Sequence, residues 1–99
     1  MSNALPDLNY PKFQEELVNL EKIEQTSFLK TCKKIRQMSW EMIYKDSGLK
    51  WEEITTKRTT NGDKVFSLRF SQKSRVTVVR VGEYMTFMSI HTDHDSAYK

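Results

Sequence analysis

The sequence predicts an α+β domain in which two to three N-terminal helices pack on one face of a four-stranded, mainly antiparallel sheet. Three observations carry this. Apolar residues in the first half recur at helical spacing, as Phe13, Leu17, Leu20 and Ile23, a stripe along one helix face. From Val65 the period becomes two, with Phe66, Leu68 and Phe70 alternating against Val65, Ser67 and Arg69, the pattern of a half-buried strand. The later apolar runs are separated by Asn61-Gly62 and Gly82-Glu83, both hairpin signals. Helices followed by a meander of strands place the helices together on one side of the sheet.

Each element has its own local logic. The helical region is expected over residues 9–45, starting from Asp7 or Asn9 as a cap with Pro11 in the first turn. Thr26 or Ser27 offers a second cap, and Phe28, Cys32 and Ile35 continue the helical period. Ser39 caps a short third helix from Trp40 to Tyr44, with Lys45 near its C-terminus and Gly48 just beyond, where a left-handed cap is common. The sheet is expected over residues 51–90, as strands Trp51–Lys57, Val65–Phe70, Arg75–Val81 and Tyr84–Ile90. Gly82-Glu83 suits a two-residue type II′ turn, which sets Val81 against Tyr84, Val79 against Thr86 and Thr77 against Met88. A four-residue turn at 71–74 sets Phe70 against Arg75. One face then collects Phe66, Leu68, Phe70, Val79, Met88 and Ile90 as core. The other collects Ser67, Arg69, Arg80 and Ser89 around Val78 and Phe87, a basic working surface. Arg75 falls on the core side in this register, and a one-residue bulge between Ser71 and Ser74 would turn it over.

Composition narrows the function. Ninety-nine residues, 37% hydrophobic and 11% aromatic, make one domain over 1–99 with a modest core. No apolar run approaches the roughly 20 residues of a membrane span, and the N-terminus lacks the pattern of a secretory signal. The lone Cys32 founds neither a disulfide framework nor a zinc site, so a cytoplasmic setting is expected. The net charge of +3 is unevenly spread: residues 57–82 hold seven basic side chains against Asp63 alone. Positive charge so concentrated attracts polyanions.

The segment 91–99 holds both histidines, His91 and His94, with Asp93, Asp95 and Tyr98. A zinc set would need support that no second ligand cluster provides. Ser96, beside Asp95 and two residues from His94, is too local for a triad. Acid/base work on a phosphodiester fits better. RNA cleavage without a metal needs a base for the 2′-hydroxyl, an acid for the leaving oxygen and cations for the charge that develops. An unperturbed histidine titrates near neutrality, which suits His94 to proton transfer; Tyr98 follows four residues later, and Arg69, Arg75 and Arg80 can supply fixed charge. The same residues would equally suit a solvated chain end.

The stretches Val65–Phe70, Ser74–Arg80 and Ile90–Tyr98 resemble the RelE/ParE superfamily of toxins from type II toxin–antitoxin systems, in particular its RelE/HigB-like mRNA interferases. Lys45–Glu52 is similar to the joint between helices and sheet in some members. The resemblance implies a metal-independent, cofactor-free endoribonuclease acting on mRNA at the ribosome, with a cognate antitoxin as partner. It implies that Arg75 contacts the scissile phosphate and that His94 and Tyr98 take acid/base or base-stacking roles. Arg69 would join them as a catalytic cation. Lys50, Lys57 and Arg58 correspond loosely to the family's basic strand; with Lys73, Arg80 and Asp95 they make the expected substrate-binding set. A catalytic Arg75 must face the helix-free side, which implies a bulge or looser turn around Gln72-Lys73. The chain departs from the family in opening on a helix rather than a first strand. A topoisomerase-inhibiting toxin of the ParE type and a non-catalytic RNA-binding module remain the alternatives.

Overall fold

The computed structural model describes residues 3–92. In order these form β1 (Leu5–Asp7), α1 (Pro11–Val18), α2 (Lys22–Ile35), α3 (Trp40–Lys45), β2 (Glu52–Arg58), β3 (Lys64–Arg69), β4 (Arg75–Val81) and β5 (Tyr84–His91). The strands make one sheet in the order β1-β5-β4-β3-β2. β2 to β5 are the antiparallel meander read from the sequence, while β1 runs parallel to β5, pairing Leu5 with Tyr84 and Asp7 with Thr86. The sheet therefore has five strands, not four, and the chain opens on a strand, not a helix. Leu5 donates to the Glu83 carbonyl at 2.9 Å, so Pro6 faces the open edge, where its missing N–H breaks no ladder. Among the described residues no helix is long and apolar enough to cross a membrane.

The helices differ from expectation mainly at their ends. Pro11 is the first residue of α1, after Tyr10, and neither Asp7 nor Asn9 caps it. Asp7 instead accepts from the Asn9 backbone at 3.1 Å and from the Thr86 hydroxyl at 3.1 Å, tying β1 to β5. The stripe through Leu20 and Ile23 is broken: α1 stops at Val18 and α2 starts at Lys22. The Gln25 side-chain amide donates to the carbonyls of Leu17 and Val18 at 3.0 and 3.2 Å, satisfying the end of α1 from the next helix. Ile23 is left exposed, and Thr26 lies inside α2, donating back to the Lys22 carbonyl. Ser39 does cap α3, accepting from Met42 N–H. The left-handed residue after α3 is Lys50, at φ 48°, rather than Gly48.

Phe13 of α1, Phe28 of α2, Phe70 and Phe87 form an aromatic centre, with ring centroids 5.0 to 5.4 Å apart. Around it Ile35, Ile43, Leu68, Val76, Val78 and Met85 complete the core between helices and sheet. Each such side chain stabilises by about 1.5–3 kcal/mol on burial. A smaller cluster, Ile54, Val65 and Val79 with Met88, lies on the helix-free face.

Two one-residue irregularities overturn the expected faces of β4. The β3–β4 loop has five residues, because Arg69 rather than Phe70 pairs with Arg75. The looser turn thus exists, and it moves Arg75 to the helix-free face. Val76 and Val78 enter the core in its place, while Val79 joins the outer cluster. The Val78–Phe87 pair holds as expected, but on the helix side. The β4–β5 turn sets Val81 against Tyr84 as read, with Gly82 at φ 61° and Glu83 outside the left-handed region, as type II′ requires. Further along, the register shifts so that Thr77 meets Ser89, not Met88. That bulge keeps Ile90 on the core side, with Val76, although β4 has turned over.

Candidate phosphate-binding site

The register lines Arg69, Arg75 and His91 in one row across β3, β4 and β5. Residues directly opposite on neighbouring strands have Cβ atoms about 5 Å apart and project from one face. Two adjacent arginines repel, so their guanidinium groups must be held. Arg75, 7% exposed, donates from Nη2 to Ser67 Oγ at 2.8 Å and to the Lys50 carbonyl at 2.8 Å, and from Nε to Ser67 Oγ at 3.3 Å. Arg69 donates from Nε to the Ser71 carbonyl and from Nη2 to the Gln72 carbonyl, each at 3.0 Å. Every one of these acceptors is neutral, so the geometry is fixed and the charge is not cancelled.

The left-handed backbone of Lys50 belongs to the same arrangement. Asp46 accepts from the Leu49 N–H and from Lys34 Nζ, both at 2.9 Å. The Lys34 ammonium beside it holds the Asp46 carboxyl below its ordinary value. This tightens the chain between α3 and β2, and the Lys50 carbonyl reaches Arg75. Leu49 also accepts from the Arg69 backbone at 2.7 Å.

The result is a cup of about 340 Å³ lined by Lys50, Arg69, Gln72, Lys73, Ser74, Arg75 and Thr92. Four cations meet in it, and none of them forms an ion pair among the described residues. Burial pulls the Arg75 guanidinium below its ordinary value; Glu52, across from Ser67, works against this and Arg69 adds to it. Arginine nonetheless stays charged near neutrality. Four cations without close ion pairs, two of them arginines held in place by neutral acceptors, suit the cup to a phosphate.

A wider groove of about 750 Å³ runs along the same face, floored by Val65, Val79 and Met88 and edged by Lys12, Lys57 and Arg58. Beside it Thr77 Oγ1 and Ser89 Oγ lie 2.5 Å apart, and Ser89 Oγ lies 2.8 Å from His91 Nε2. Burial first, then the charges of Lys57 and Lys12, push the His91 ring down from its ordinary value, with Glu16 opposing.

The expected site residues thus divide into four groups. Lys50, Arg69, Lys73 and Arg75 converge in the cup. Lys57 and Arg58 edge the groove, Arg58 being paired with Glu53 at 3.5 Å. Arg80 stands apart, since the turned-over β4 puts it on the helix side, with its guanidinium carbon 4.4 Å from the Trp40 ring centroid and Nη1 donating to Tyr44 Oη at 2.5 Å. The expectation that Arg80 shares a face with Arg69 is therefore corrected. His94, Asp95 and Tyr98 lie outside the described residues. Ser67, fully buried yet holding Arg75, falls on the working face in the sequence pattern but receives no role from it; its alternation with Arg69 was its only signal. Burial pushes the Cys32 thiol up to about 12, which leaves it a poor nucleophile.

The architecture has a solved counterpart. A chain from the crystal structure of the archaeal RelE–RelB complex from Pyrococcus horikoshii OT3 aligns with 97% of this chain and 100% of its own length, with a TM-score of 0.65. The fold is RelE-like. At 11% sequence identity the likeness is one of architecture. The sequence itself matches no protein-family profile and no curated protein. The five-stranded sheet with three helices on one face is thus a RelE-like arrangement, with the cationic cup on the helix-free side.

Proposed function

We propose that the chain is the toxin of a toxin–antitoxin pair and that it cuts mRNA by a metal-independent transesterification. The observation that carries the reading is the convergence in one cup of Lys50, Arg69, Lys73 and Arg75, none of which forms a close ion pair among the described residues. The RelE-like fold, seen in a complex with RelB, supports a protein antitoxin as partner and the cytoplasm as the place of action. In the proposed reaction a base removes the 2′-hydroxyl proton, and the 2′-oxygen attacks the adjacent phosphorus. The bond to the 5′-oxygen breaks as that oxygen takes a proton, leaving a 2′,3′-cyclic phosphate and a 5′-hydroxyl. Arg75 and Arg69 stabilise the charge that grows on the phosphoryl oxygens, while Lys50 and Lys73 draw the backbone in. His94 and Tyr98 are assigned the proton transfers, and Asp95 a contact to the substrate side of that segment.

The test is cleavage of mRNA on translating ribosomes by wild type and variants, with growth arrest scored in parallel. Arg75→Ala is expected to lower kcat by about 10²-fold or more with a smaller change in RNA affinity, because a transition-state contact acts on turnover. Arg75→Lys should recover little, since a single ammonium cannot keep the bonds to Ser67 and the Lys50 carbonyl and also reach the phosphate. His94→Ala with Tyr98→Phe should abolish cleavage while leaving RNA affinity largely intact. Growth arrest with intact mRNA and DNA-damage signalling would instead indicate topoisomerase inhibition. RNA binding with neither arrest nor cleavage would indicate a plain binding module.

A further inference from the structure

Glu24 is a buried acid for which the proposed reaction has no use. It lies in the first turn of α2, 7% exposed, and forms no ion pair among the described residues. Two hydroxyls converge on one of its oxygens: Ser71 Oγ donates to Oε1 at 2.6 Å and Ser74 Oγ donates to the same atom at 2.5 Å. Burial alone would push the carboxyl up, but those two hydroxyls and the charge of Lys73 outweigh it and hold it below its ordinary value. The buried acid is therefore kept as a carboxylate, a costly state unless well supplied with donors.

Both serines belong to the loop that builds the cup. That loop has little holding it from within. The Phe70 N–H donates to the Ser74 carbonyl at 3.1 Å, but the two bonds between the Ser71 and Ser74 backbones are both 3.4 Å. Arg69, in turn, takes its position from the Ser71 and Gln72 carbonyls. Ser74 is the residue immediately before Arg75, and both Lys73 and Ser74 line the cup. Contacts thus run from α2 through Glu24 and Ser71 to Arg69, and through Ser74 to the residue that Lys73 and Arg75 flank in the chain.

Resting on the phosphate-binding reading above, we infer that Glu24 is a positioning residue, which through Ser71 and Ser74 fixes the 70–74 loop so that Arg69, Lys73 and Arg75 meet one phosphate. What the loop requires is an acceptor with two lone pairs at Oε1. The amide oxygen of glutamine provides the same two acceptor positions; alanine provides none.

The experiment compares wild type, Glu24→Gln, Glu24→Ala, the double variant Ser71→Ala/Ser74→Ala, and Arg75→Ala. For each, thermal melting is measured by circular dichroism, affinity for a short fluorescent RNA by anisotropy, and cleavage of ribosome-bound mRNA in single turnovers. Glu24→Gln is expected to stay within about threefold of wild type in binding and rate, because both acceptor bonds persist. Glu24→Ala, assayed well below its melting point, should lose about 10- to 100-fold in rate, the cost of misplacing groups by an ångström or so. The serine double variant removes both donors and leaves the Glu24 carboxyl in place; assayed well below its own melting point, it should show the same loss. Wild-type binding and cleavage in the folded Glu24→Ala or serine variants would overturn the inference, and so would equal losses in Glu24→Gln and Glu24→Ala. If Arg75→Ala also behaves as wild type, the cup itself is not the site. If Arg75→Ala fails while the loop variants do not, only the positioning role falls.

Discussion

Lys50 serves the cup twice, as a lining residue and with its carbonyl on Arg75. Holding that carbonyl in place requires φ 48°, a region that costs a residue with a Cβ about 1–2 kcal/mol. Glycine escapes that cost, though it gives back part of it through the freedom of the unfolded chain. Lys50→Gly should therefore melt at or above the wild-type temperature, corresponding to a gain of up to about 1 kcal/mol, while its RNA affinity falls. Its dependence of log affinity on log salt should flatten by about 0.7, one phosphate contact fewer on a single strand. Anisotropy titrations at several salt concentrations would measure it; an unchanged slope would remove Lys50 from the binding set. Cys32 gives a simpler expectation. With its thiol pushed up to about 12, it should resist iodoacetamide at pH 8 in the folded protein and react once the chain is unfolded.

Elements that announce themselves by repetition were legible; those defined by a distant partner were not. Arg75–Val81 was read to the residue, because β-branched side chains fill it and turns bound it. β1 was missed because three residues, one of them Pro6, cannot show a period, and its partner Thr86 lies 79 positions from Asp7. Asp7 and Asn9 carry the side chains of helix caps, and only the folded sheet shows Asp7 bridging β1 to β5. Asp7→Ala should therefore cost more than a surface change, about 1–2 kcal/mol from the loss of the acceptor for Asn9 and Thr86, read as a lowered midpoint in urea. The faces of β4 failed for a different reason. A strand's side-chain period is two, so one extra residue in the 70–74 loop reverses every position after it. Loop length is set by Glu24, Thr31 and Arg69 gripping the loop from outside, information that no local pattern contains. The cup was legible as a basic segment but not as a place. Lys50 and Lys73 stand 23 positions apart in the sequence and meet only through the sheet.

At the scale of the whole molecule, acid should loosen the fold in two stages. The His91 value is pushed down by burial and by Lys57 and Lys12, so the unfolded chain takes up a proton more readily than the folded one. Stability from this group is complete above about pH 6.5 and is lost as pH falls below it. Glu24 and Asp46 are both held low. Their contribution is present above the ordinary carboxylate range and is lost as pH falls through that range towards the lowered folded values. Melting temperatures measured from pH 8 to pH 3 should decline first below neutrality and again in the carboxylate range. His91→Gln should remove the first decline, and its persistence would refute the assignment.

The eight described elements and the described walls of the cup come from residues 3–92, while the residues proposed for proton transfer come after Thr92. On the proposed reading, most of the grip and all of the cutting chemistry therefore fall in separate stretches of the gene. A stop codon placed just after Thr92 is expected to leave a protein that still holds RNA but severs nothing, a competitor rather than a poison. Selection for survivors of the unneutralised protein should accordingly yield two kinds of escape. Missense changes in the 69–75 region would abolish holding and cutting together. Late nonsense or frameshift changes would yield chains that still occupy the substrate and blunt the intact protein when both are made in one cell.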